Sequence, residues 1–272
     1  MFTTVRLAPG VAVILRGPTS IQFGADATRS GIVETPHAAE LVALLREARE
    51  PTSVDDLVAR ACSECAMPEH EAASIIADLV AYRVLVDSPE HCALVIGRSA
   101  LSSAVKPLLR GAHIEVRSPL PGESSERFLA AADETAPLLV VDQPLSASHL
   151  AHLTRRRVGA VVPATLVDAR VIIGPIGPCL HCAHLYHVDR DANWPHVQRV
   201  LRESPTTPDP LVVAAGAAAA ARVMRRLCAV PDPPGVSAPP LLRGTRIVVD
   251  PFAPATESVE VLRSHPRCPA CF

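Results

Sequence analysis

The chain has 272 residues, with 26 Lys and Arg against 28 Asp and Glu, and a formal net charge of −2. This length suggests about two domains, and a hydrophobic content of 49% excludes an intrinsically disordered protein. The balanced charge and an aromatic content of only 3% argue against a broad grip on nucleic acid, which needs a basic surplus or stacking side chains.

The first 88 residues predict short strands followed by helices, from turn signals, β-branched runs and helical spacing of apolar residues. The predicted strands cover residues 11–15, 20–23, 31–33 and 84–86. The predicted helices begin near Pro36, Ser53 and Pro68. Because a hairpin, three helices and a closing strand follow one another, we predict a winged-helix-like domain over residues 1–88.

After residue 88 the pattern changes to apolar strands that are separated by helices. The predicted strands cover residues 92–96, 113–116, 137–142, 158–162 and 167–173. The predicted helices cover residues 99–109, 147–156 and 209–228. Strands without polar alternation between helices predict a parallel sheet covered on both faces. Residues 247–249 and 258–262 predict a terminal hairpin, so residues 89–272 are interpreted as one α/β domain.

The longest uninterrupted apolar run, residues 211–221, has 11 residues, whereas a membrane-spanning helix needs about 20. The N-terminal residues lack the charged start and the long apolar stretch of a signal peptide. The sequence therefore predicts a soluble, cytoplasmic protein without a membrane segment. In that reducing compartment, paired cysteines are metal ligands more often than they are disulfides.

Two cysteine pairs give the strongest chemical signal. Cys179 and Cys182 form one pair, Cys268 and Cys271 form the other, and each pair leaves two residues between its sulfurs. This spacing lets two thiolates bind one ion, and four thiolates saturate a tetrahedral zinc without an open position. The pattern favours one shared structural zinc, with two unrelated pairs or a single redox pair as the alternatives.

The remaining cysteines do not predict a second metal site. Cys62 and Cys65 stand at the end of a predicted helix without a partner pair nearby. Cys92 heads a buried strand and Cys228 ends a helix, and either thiol would be a nucleophile only beside an activating group. The sequence identifies no clear catalytic cysteine.

Three histidines follow the first cysteine pair closely: His181, His184 and His187. A second metal site or a catalytic base is conceivable from this clustering. Exposed helical residues, or histidines that donate hydrogen bonds to a thiolate, are the more common outcome of such a pattern.

The turn after the first strand of the predicted parallel sheet lacks the glycines of a nucleotide site. Gly97 stands at the first glycine position, but Ser99 and Ser102 occupy the second and third, where a side chain crowds the approach of phosphate to the backbone. Arg117 stands where a ribose-binding carboxylate is expected. Asp142 ends a strand, where an aspartate is usually a turn residue rather than a magnesium ligand. We therefore expect no bound ATP.

The cysteine pairs and their surroundings resemble a known family. Residues 177–182 read GPCLHC and are followed by Trp194, while residues 249–252 and 265–271 read VDPF and HPRCPAC. Together they resemble the ThiF-like partner proteins of azole-forming peptide cyclodehydratases, within the ubiquitin-activating (ThiF/MoeB) superfamily. The resemblance covers nearly the whole chain and implies a winged-helix-like peptide-recognition element before a Rossmann-like activating-enzyme domain that carries the structural zinc.

The resemblance implies a non-catalytic role in peptide natural-product biosynthesis. In such proteins the winged-helix element captures the leader peptide of a precursor as an added strand, while a separate YcaO-type enzyme activates amides with ATP. On this sequence the strand would lie along Gly31, Ile32 and Val33. The helix over residues 69–82 would form the other wall, with these groove residues: His70, Ala73, Ala77 and Tyr82. The second domain implies a homodimer.

Three functions therefore compete at this point. The first is a zinc-stapled scaffold that presents a leader peptide to a partner enzyme. The second is an ATP-dependent adenylyltransferase of the ubiquitin-activating type that uses Asp142, against which the missing glycines count. The third is a winged-helix DNA-binding regulator. The acidic residues Glu64, Glu69, Glu71 and Asp78 around the presumed recognition helix argue against that role.

Overall fold

The computed structural model describes residues 4–87, 91–142, 147–203 and 207–271, and the chain divides into two compact units. The first unit comprises Met1–Glu90 and Pro231–Pro239, and the second comprises His91–Val230 and Pro240–Phe272. The domain boundary predicted after residue 88 falls outside the described residues. The segment Pro231–Pro239, in which four of nine residues are proline, belongs to the first unit. Its backbone packs closely there, since a Cβ atom on Gly235 would lie 2.2 Å from the Arg29 carbonyl oxygen.

The first unit contains two three-stranded antiparallel sheets and a group of helices. Its strands are β1 (Thr4–Leu7), β2 (Val13–Gly17), β3 (Ser20–Phe23), β4 (Ile32–Glu34), β5 (Thr52–Ser53) and β6 (Leu85–Asp87). Its helices are α1 (Ala27–Ser30), α2 (Ala38–Glu47), α3 (Val54–Glu64) and α4 (Glu69–Ala81). Within the described residues, the strand orders are β5-β1-β6 and β2-β3-β4.

The three predicted helices of this unit are confirmed as α2, α3 and α4. Ser53 begins α3, because its side-chain oxygen accepts a hydrogen bond from the Asp56 N–H at 3.0 Å. Apolar side chains of the three helices pack against Ile21 and Phe23 of β3 in one core. Gly31 was predicted to start the strand over residues 31–33 but lies outside β4: with a φ of +86° it caps the C-terminal end of α1, and β4 begins at Ile32.

The second unit is a mixed α/β fold around one large sheet. Its strands are β7 (His91–Ile96), β8 (Ile114–Arg117), β9 (Leu138–Val141), β10 (Val161–Val167), β11 (Arg170–Ile173), β12 (Thr245–Val249) and β13 (Glu257–Val261). Its helices are α5 (Ala100–Gly111), α6 (Ser125–Ala131), α7 (Ala147–Thr154), α8 (Leu180–Arg190), α9 (Trp194–Glu203) and α10 (Pro210–Leu227). In the described part of the chain, seven strands are ordered β13-β12-β11-β10-β9-β7-β8.

One half of this sheet is parallel and the other half is antiparallel, which corrects the prediction of a parallel sheet. Strands β8, β7, β9 and β10 run parallel, whereas β11, β12 and β13 are antiparallel to their neighbours. The chain reverses between β10 and β11 over Asp168 and Ala169, and Asp168 has a positive φ of 53°. A two-residue connection joins only antiparallel strands, and the strand predicted over residues 167–173 spans this turn.

Helices cover both faces of the sheet, as predicted. Helices α5 and α10 pack on one face, where Val95 and Val171 are fully buried. Helices α6, α7 and α8 pack on the other, where Leu94 and Val140 are fully buried. Among the described helices, none is long and apolar enough to cross a lipid bilayer.

Candidate metal centre

The four cysteine sulfurs of the two pairs converge on one point of the second unit. The Sγ atom of Cys179 lies 3.6 Å from that of Cys182 and 3.4 Å from those of Cys268 and Cys271. The Sγ atoms of Cys182 and Cys271 are also 3.4 Å apart, and all four lie within 4.8 Å of one another. Four sulfurs at about 2.3 Å from a zinc ion form a tetrahedron with edges of about 3.8 Å, so the group can hold such an ion.

Two tight backbone turns place these sulfurs. Cys179 caps the start of α8 and Cys182 lies in the first turn of that helix, so both sulfurs point from the same helix end. In the C-terminal segment, the Cys268 N–H donates to the carbonyl oxygen of His265 at 3.0 Å, and the Cys271 N–H donates to the carbonyl oxygen of Cys268 at 3.3 Å. Each pair thus forms a short loop that presents two sulfurs on one side.

The four sulfurs of the cluster can all be thiolates only beside a cation. Burial raises the pKa of the Cys179 thiol to about 11 and also raises the pKa of Cys182, because thiolates are poorly stabilised in apolar surroundings. Four thiolates at these separations repel one another unless a divalent ion compensates their charge. The Cys182 sulfur also accepts a hydrogen bond from the His265 backbone N–H at 3.3 Å, which favours its charged form.

A histidine and an aspartate attach the C-terminal cysteine turn to α8. His265 is 1% exposed, and its Nδ1 accepts the Arg267 N–H at 3.1 Å. Its Nε2 therefore carries the proton and donates to Asp189 Oδ2 at 2.8 Å. The hydrogen bond from His265 and the charge of Arg267, which also pairs with Asp189, lower the pKa of that carboxyl. The Tyr186 ring meets the His265 imidazole edge-on, with centroids 4.9 Å apart.

No sequence pattern predicts a role for Asp189 or Tyr186, and His265 was predicted only as part of the C-terminal motif. The histidine three residues before Cys268 is the signal that could have pointed to this contact. Its partner Asp189 lies 76 residues earlier in the chain, and no local pattern connects two residues at that separation.

The three histidines of α8 form no second metal group. All three are half-buried, and the His181 and His184 ring centroids are 6.1 Å apart. His187 stacks on Trp194 at 4.6 Å, and burial together with the nearby Arg246 guanidinium lowers its pKa to about 4. Within the described ranges, the four cysteines are the one cluster of at least three metal-ligating side chains that is close enough to hold an ion.

The turn after β7 is closed by its own side chains. Gly97 has a φ of +139°, and a Cβ atom there would lie 2.7 Å from the Val141 carbonyl oxygen, so glycine is required for packing against β9. Ser99 caps α5 by accepting the Ser102 N–H at 3.3 Å. The Ser102 hydroxyl, fully buried, donates to the Gly97 carbonyl oxygen at 2.9 Å.

Asp142, at the end of β9, is committed to the neighbouring strand. Its carboxylate accepts the Leu166 N–H of β10 at 2.9 Å, and its own N–H donates to the Ala164 carbonyl oxygen at 2.8 Å. Burial raises the pKa of this carboxyl. These contacts give Asp142 a structural role in holding β9 against β10.

The residues predicted for a peptide groove lie on the first unit. β4 is an edge strand that pairs with β3, and along it Ile32 is 40% exposed while Val33 is half-buried against the core. Helix α4 packs on α3 and β6. The four residues predicted on its outer side are all exposed: His70, Ala73, Ala77 and Tyr82.

Three of the four remaining cysteines, Cys65, Cys92 and Cys228, lie in environments that disfavour thiolates. The Cys228 thiol donates to the Cys92 carbonyl oxygen at 3.6 Å, and burial raises the pKa of Cys228 to about 11 and also that of Cys92. Burial likewise raises the pKa of Cys65 in the first unit. A catalytic nucleophile needs the opposite shift.

The fold is similar to that of heterocyclase and microcin synthetase components. The heterocyclase TruD matches with a TM-score of 0.57 and 17% identity, over 99% of this chain and 43% of that chain. A heterocyclase in complex with substrate and cofactor matches with a TM-score of 0.55 and 14% identity, over 99% and 39%. A chain of the E. coli microcin synthetase complex McbBCD with pro-MccB17 bound matches with a TM-score of 0.62 and 11% identity, over 98% and 99%.

No protein-family model matches the sequence, and no curated protein matches it. At identities of 11% to 17% the likeness is one of fold. The chain spans about two-fifths of the length of the two heterocyclase chains and nearly the full length of the microcin synthetase chain.

Proposed function

We propose that this protein is a non-catalytic peptide-binding partner of a YcaO-type cyclodehydratase in the biosynthesis of azole-containing peptides. The observation that carries the proposal is the fold likeness over 98% of the chain to a component of a microcin synthetase complex with its pro-peptide bound. The two heterocyclase structures support the same pathway class. The cytoplasm, where the precursor peptide is made, is the proposed location.

The first unit is the proposed peptide-recognition element, of the winged-helix type. Its support, within the described residues, is the edge position of β4 in its sheet and the exposed side chains on α4 of the same unit. An extended peptide that adds to such an edge gains main-chain hydrogen bonds, while side chains beside the helix supply selectivity. In this proposal the leader peptide of a precursor lies along Ile32 and Val33, with Gly31 immediately before the strand.

The second unit is the proposed scaffold, a ThiF-like domain with a Rossmann-like parallel half that pairs with a second copy. We assign a structural zinc to Cys179, Cys182, Cys268 and Cys271, since four thiolates leave that ion no open position for substrate. A non-catalytic role without ATP is supported by the turn after β7. There the Ser102 hydroxyl donates a hydrogen bond to the Gly97 carbonyl oxygen, and the Asp142 carboxylate accepts one from the Leu166 N–H of β10.

Co-expression tests this function directly. The protein is produced with a candidate YcaO-type enzyme and a candidate Cys/Ser/Thr-rich precursor, each chosen from the genes that neighbour its own, and the mass of the precursor is measured by mass spectrometry. We expect the loss of one water per ring only when all three proteins are present. Ring formation without this protein contradicts the proposal, and carboxylate-dependent pyrophosphate exchange by this protein alone identifies it as an adenylyltransferase instead.

A further inference from the structure

The first unit concentrates negative charge. Residues 1–87 contain 12 Asp and Glu against 7 Arg and no Lys, a formal charge of −5, so the rest of the chain carries +3 of the total of −2. Both walls of the proposed groove share this excess. Helix α4 contains Glu69, Glu71 and Asp78 without a Lys or Arg, and β4 ends in the exposed Glu34.

Within the part of the chain that the structure describes, these acidic groups form no ion pair. Among the described residues, the ion pairs include none of the following: Glu34, Glu69, Glu71 and Asp78. Other carboxylates of the same unit are paired, since Arg60 binds Glu47 and Glu64 at 2.7 Å each. The negative charge on β4 and on α4 is therefore available to an external partner.

The strand register indicates which positions of a bound peptide would meet this charge. Ile32 pairs with Gln22 and Glu34 pairs with Ser20 across β3, so Ile32 and Glu34 lie on the same face of β4, two residues apart. Residues of an added strand that face Ile32 and Glu34 would likewise lie two apart. Arg29 lies before the N-terminal end of β4, whereas Glu34 is its last residue. The negative charge of the strand is therefore at its C-terminal end.

On the basis of the proposed function, we infer that the peptide segment recognised on β4 is basic, with a Lys or Arg two residues from an aliphatic residue. The aliphatic side chain packs on Ile32, and the cation lies against Glu34. The carboxylates of α4 attract the segment during its approach. This assigns a substrate class to the groove, which fold likeness does not provide.

Synthetic peptides of defined charge test this inference on the full-length protein. One labelled peptide repeats Lys-Ser-Val-Ser, and its matched counterpart repeats Glu-Ser-Val-Ser. Binding is measured by fluorescence anisotropy, and the site is located by amide chemical shifts. We expect the lysine peptide to bind at least about tenfold more tightly, with shifts at β4 and α4 and with weaker binding at high salt.

Two double variants, each of which removes two negative charges, test whether the position of the charge matters. Glu34→Gln combined with Asp78→Asn is expected to weaken binding of the lysine peptide about fivefold, at a few tenths to one kcal/mol for each exposed charge pair. The control combines Asp55→Asn with Asp56→Asn, two exposed carboxylates in the first turn of α3, and leaves the affinity unchanged.

The outcomes separate this inference from the proposed function. If both peptides bind equally well with shifts at β4, the basic specificity is wrong and peptide recognition stands. If the lysine peptide does not bind, or the control variant weakens it as much as the groove variant, the inference is overturned. Shifts confined to residues outside β4 and α4 overturn it together with the docking site of the proposed function.

Discussion

The C-terminal cysteine segment and the β4 edge differ in whether their polar groups have partners within the described part of the chain. At the cysteines, the sulfurs face one another, His265 uses both ring nitrogens, and Asp189 accepts from two side chains. At β4, the strand edge is unpaired and Glu34 has no ion-pair partner among the described residues. Groups that satisfy one another within the chain stabilise a fold, whereas groups that are left exposed are suited to binding another molecule.

The largest effect is expected from breaking the cysteine cluster with Cys271→Ser. Structural zinc contributes an apparent binding free energy of order 10 kcal/mol in small peptides, so loss of one of four thiolates should release the metal and strongly destabilise the second unit. Metal content per chain by mass spectrometry and chemical unfolding curves measure both effects. Amide signals of β4 should stay in place, because that region belongs to the first unit.

The matched control for this variant is Cys62→Ser, a half-buried cysteine of the first unit. It should retain one zinc per chain and most of the stability. Full zinc content in Cys271→Ser would show that the four sulfurs do not share an ion, and would leave two separate cysteine pairs as the explanation of the sequence.

A second effect concerns the stability of the second unit in acid, which depends on His187 of α8. The pKa of His187 is lowered to about 4, while an unfolded histidine titrates near pH 6.5. The unfolded state therefore binds the proton first as the pH falls, and stability should be lost between about pH 6.5 and pH 4 at about 1.4 kcal/mol per unit, or up to about 3 kcal/mol. Above pH 6.5 the residue is neutral in both states and contributes no pH dependence.

Unfolding free energies of the wild type and of His187→Gln between about pH 7 and pH 5 isolate this contribution, and metal content is measured at each pH. We expect the wild type to lose about 2 kcal/mol more than the variant over that range. The control is His152→Gln, an exposed histidine of α7, which should follow the wild type. Parallel curves for wild type and His187→Gln would refute the burial argument.

The sequence could predict those features of the two regions that depend on a pattern of residues close together in the chain. Two residues between each pair of cysteines fix one ligand geometry, and the capping serine Ser53 marks the start of α3 locally. The terminal hairpin of the antiparallel half was predicted and corresponds to β12 and β13. The reversal between β10 and β11 was missed because residues 167–173 were assigned to one strand across the turn at Asp168. The Asp189–His265 pair was missed because tertiary packing alone joins residues that far apart.

A third and smaller effect is expected at that pair. His265→Ala keeps the backbone N–H that donates to Cys182 but removes the imidazole that binds Asp189 and the Arg267 N–H. Groups that orient metal ligands typically contribute 10- to 100-fold in metal affinity, so about tenfold or more should be lost in chelator competition. The absorption spectrum of the cobalt-loaded variant should remain that of a tetrahedral thiolate site.

Two further variants define this effect. Asp189→Asn should weaken metal binding in the same direction, because its amide cannot replace the charge opposite Arg267. Tyr186→Phe keeps the ring against His265 and removes only the hydroxyl that donates to the Arg263 carbonyl oxygen, and should bind metal nearly as the wild type does. Equal affinity of His265→Ala and wild type would show that the sulfurs are positioned by the backbone turns alone.

The smallest effect tests whether the first unit can be destabilised without a change in metal binding at the cysteine cluster of the second unit. Ser53→Ala removes the side-chain oxygen that accepts the Asp56 N–H at the start of α3, and loss of such a cap costs about 1 kcal/mol. The cost should appear in the unfolding of the first unit, with zinc content unchanged. Ser63→Ala, later in the same helix, removes a hydroxyl that donates to the helix carbonyls of Ala59 and Arg60 and should cost less. If Ser53→Ala also released metal, the first unit and the cysteine cluster of the second unit would unfold as one cooperative system. The difference between the β4 edge and the cysteine cluster would then not reflect separate binding and structural roles.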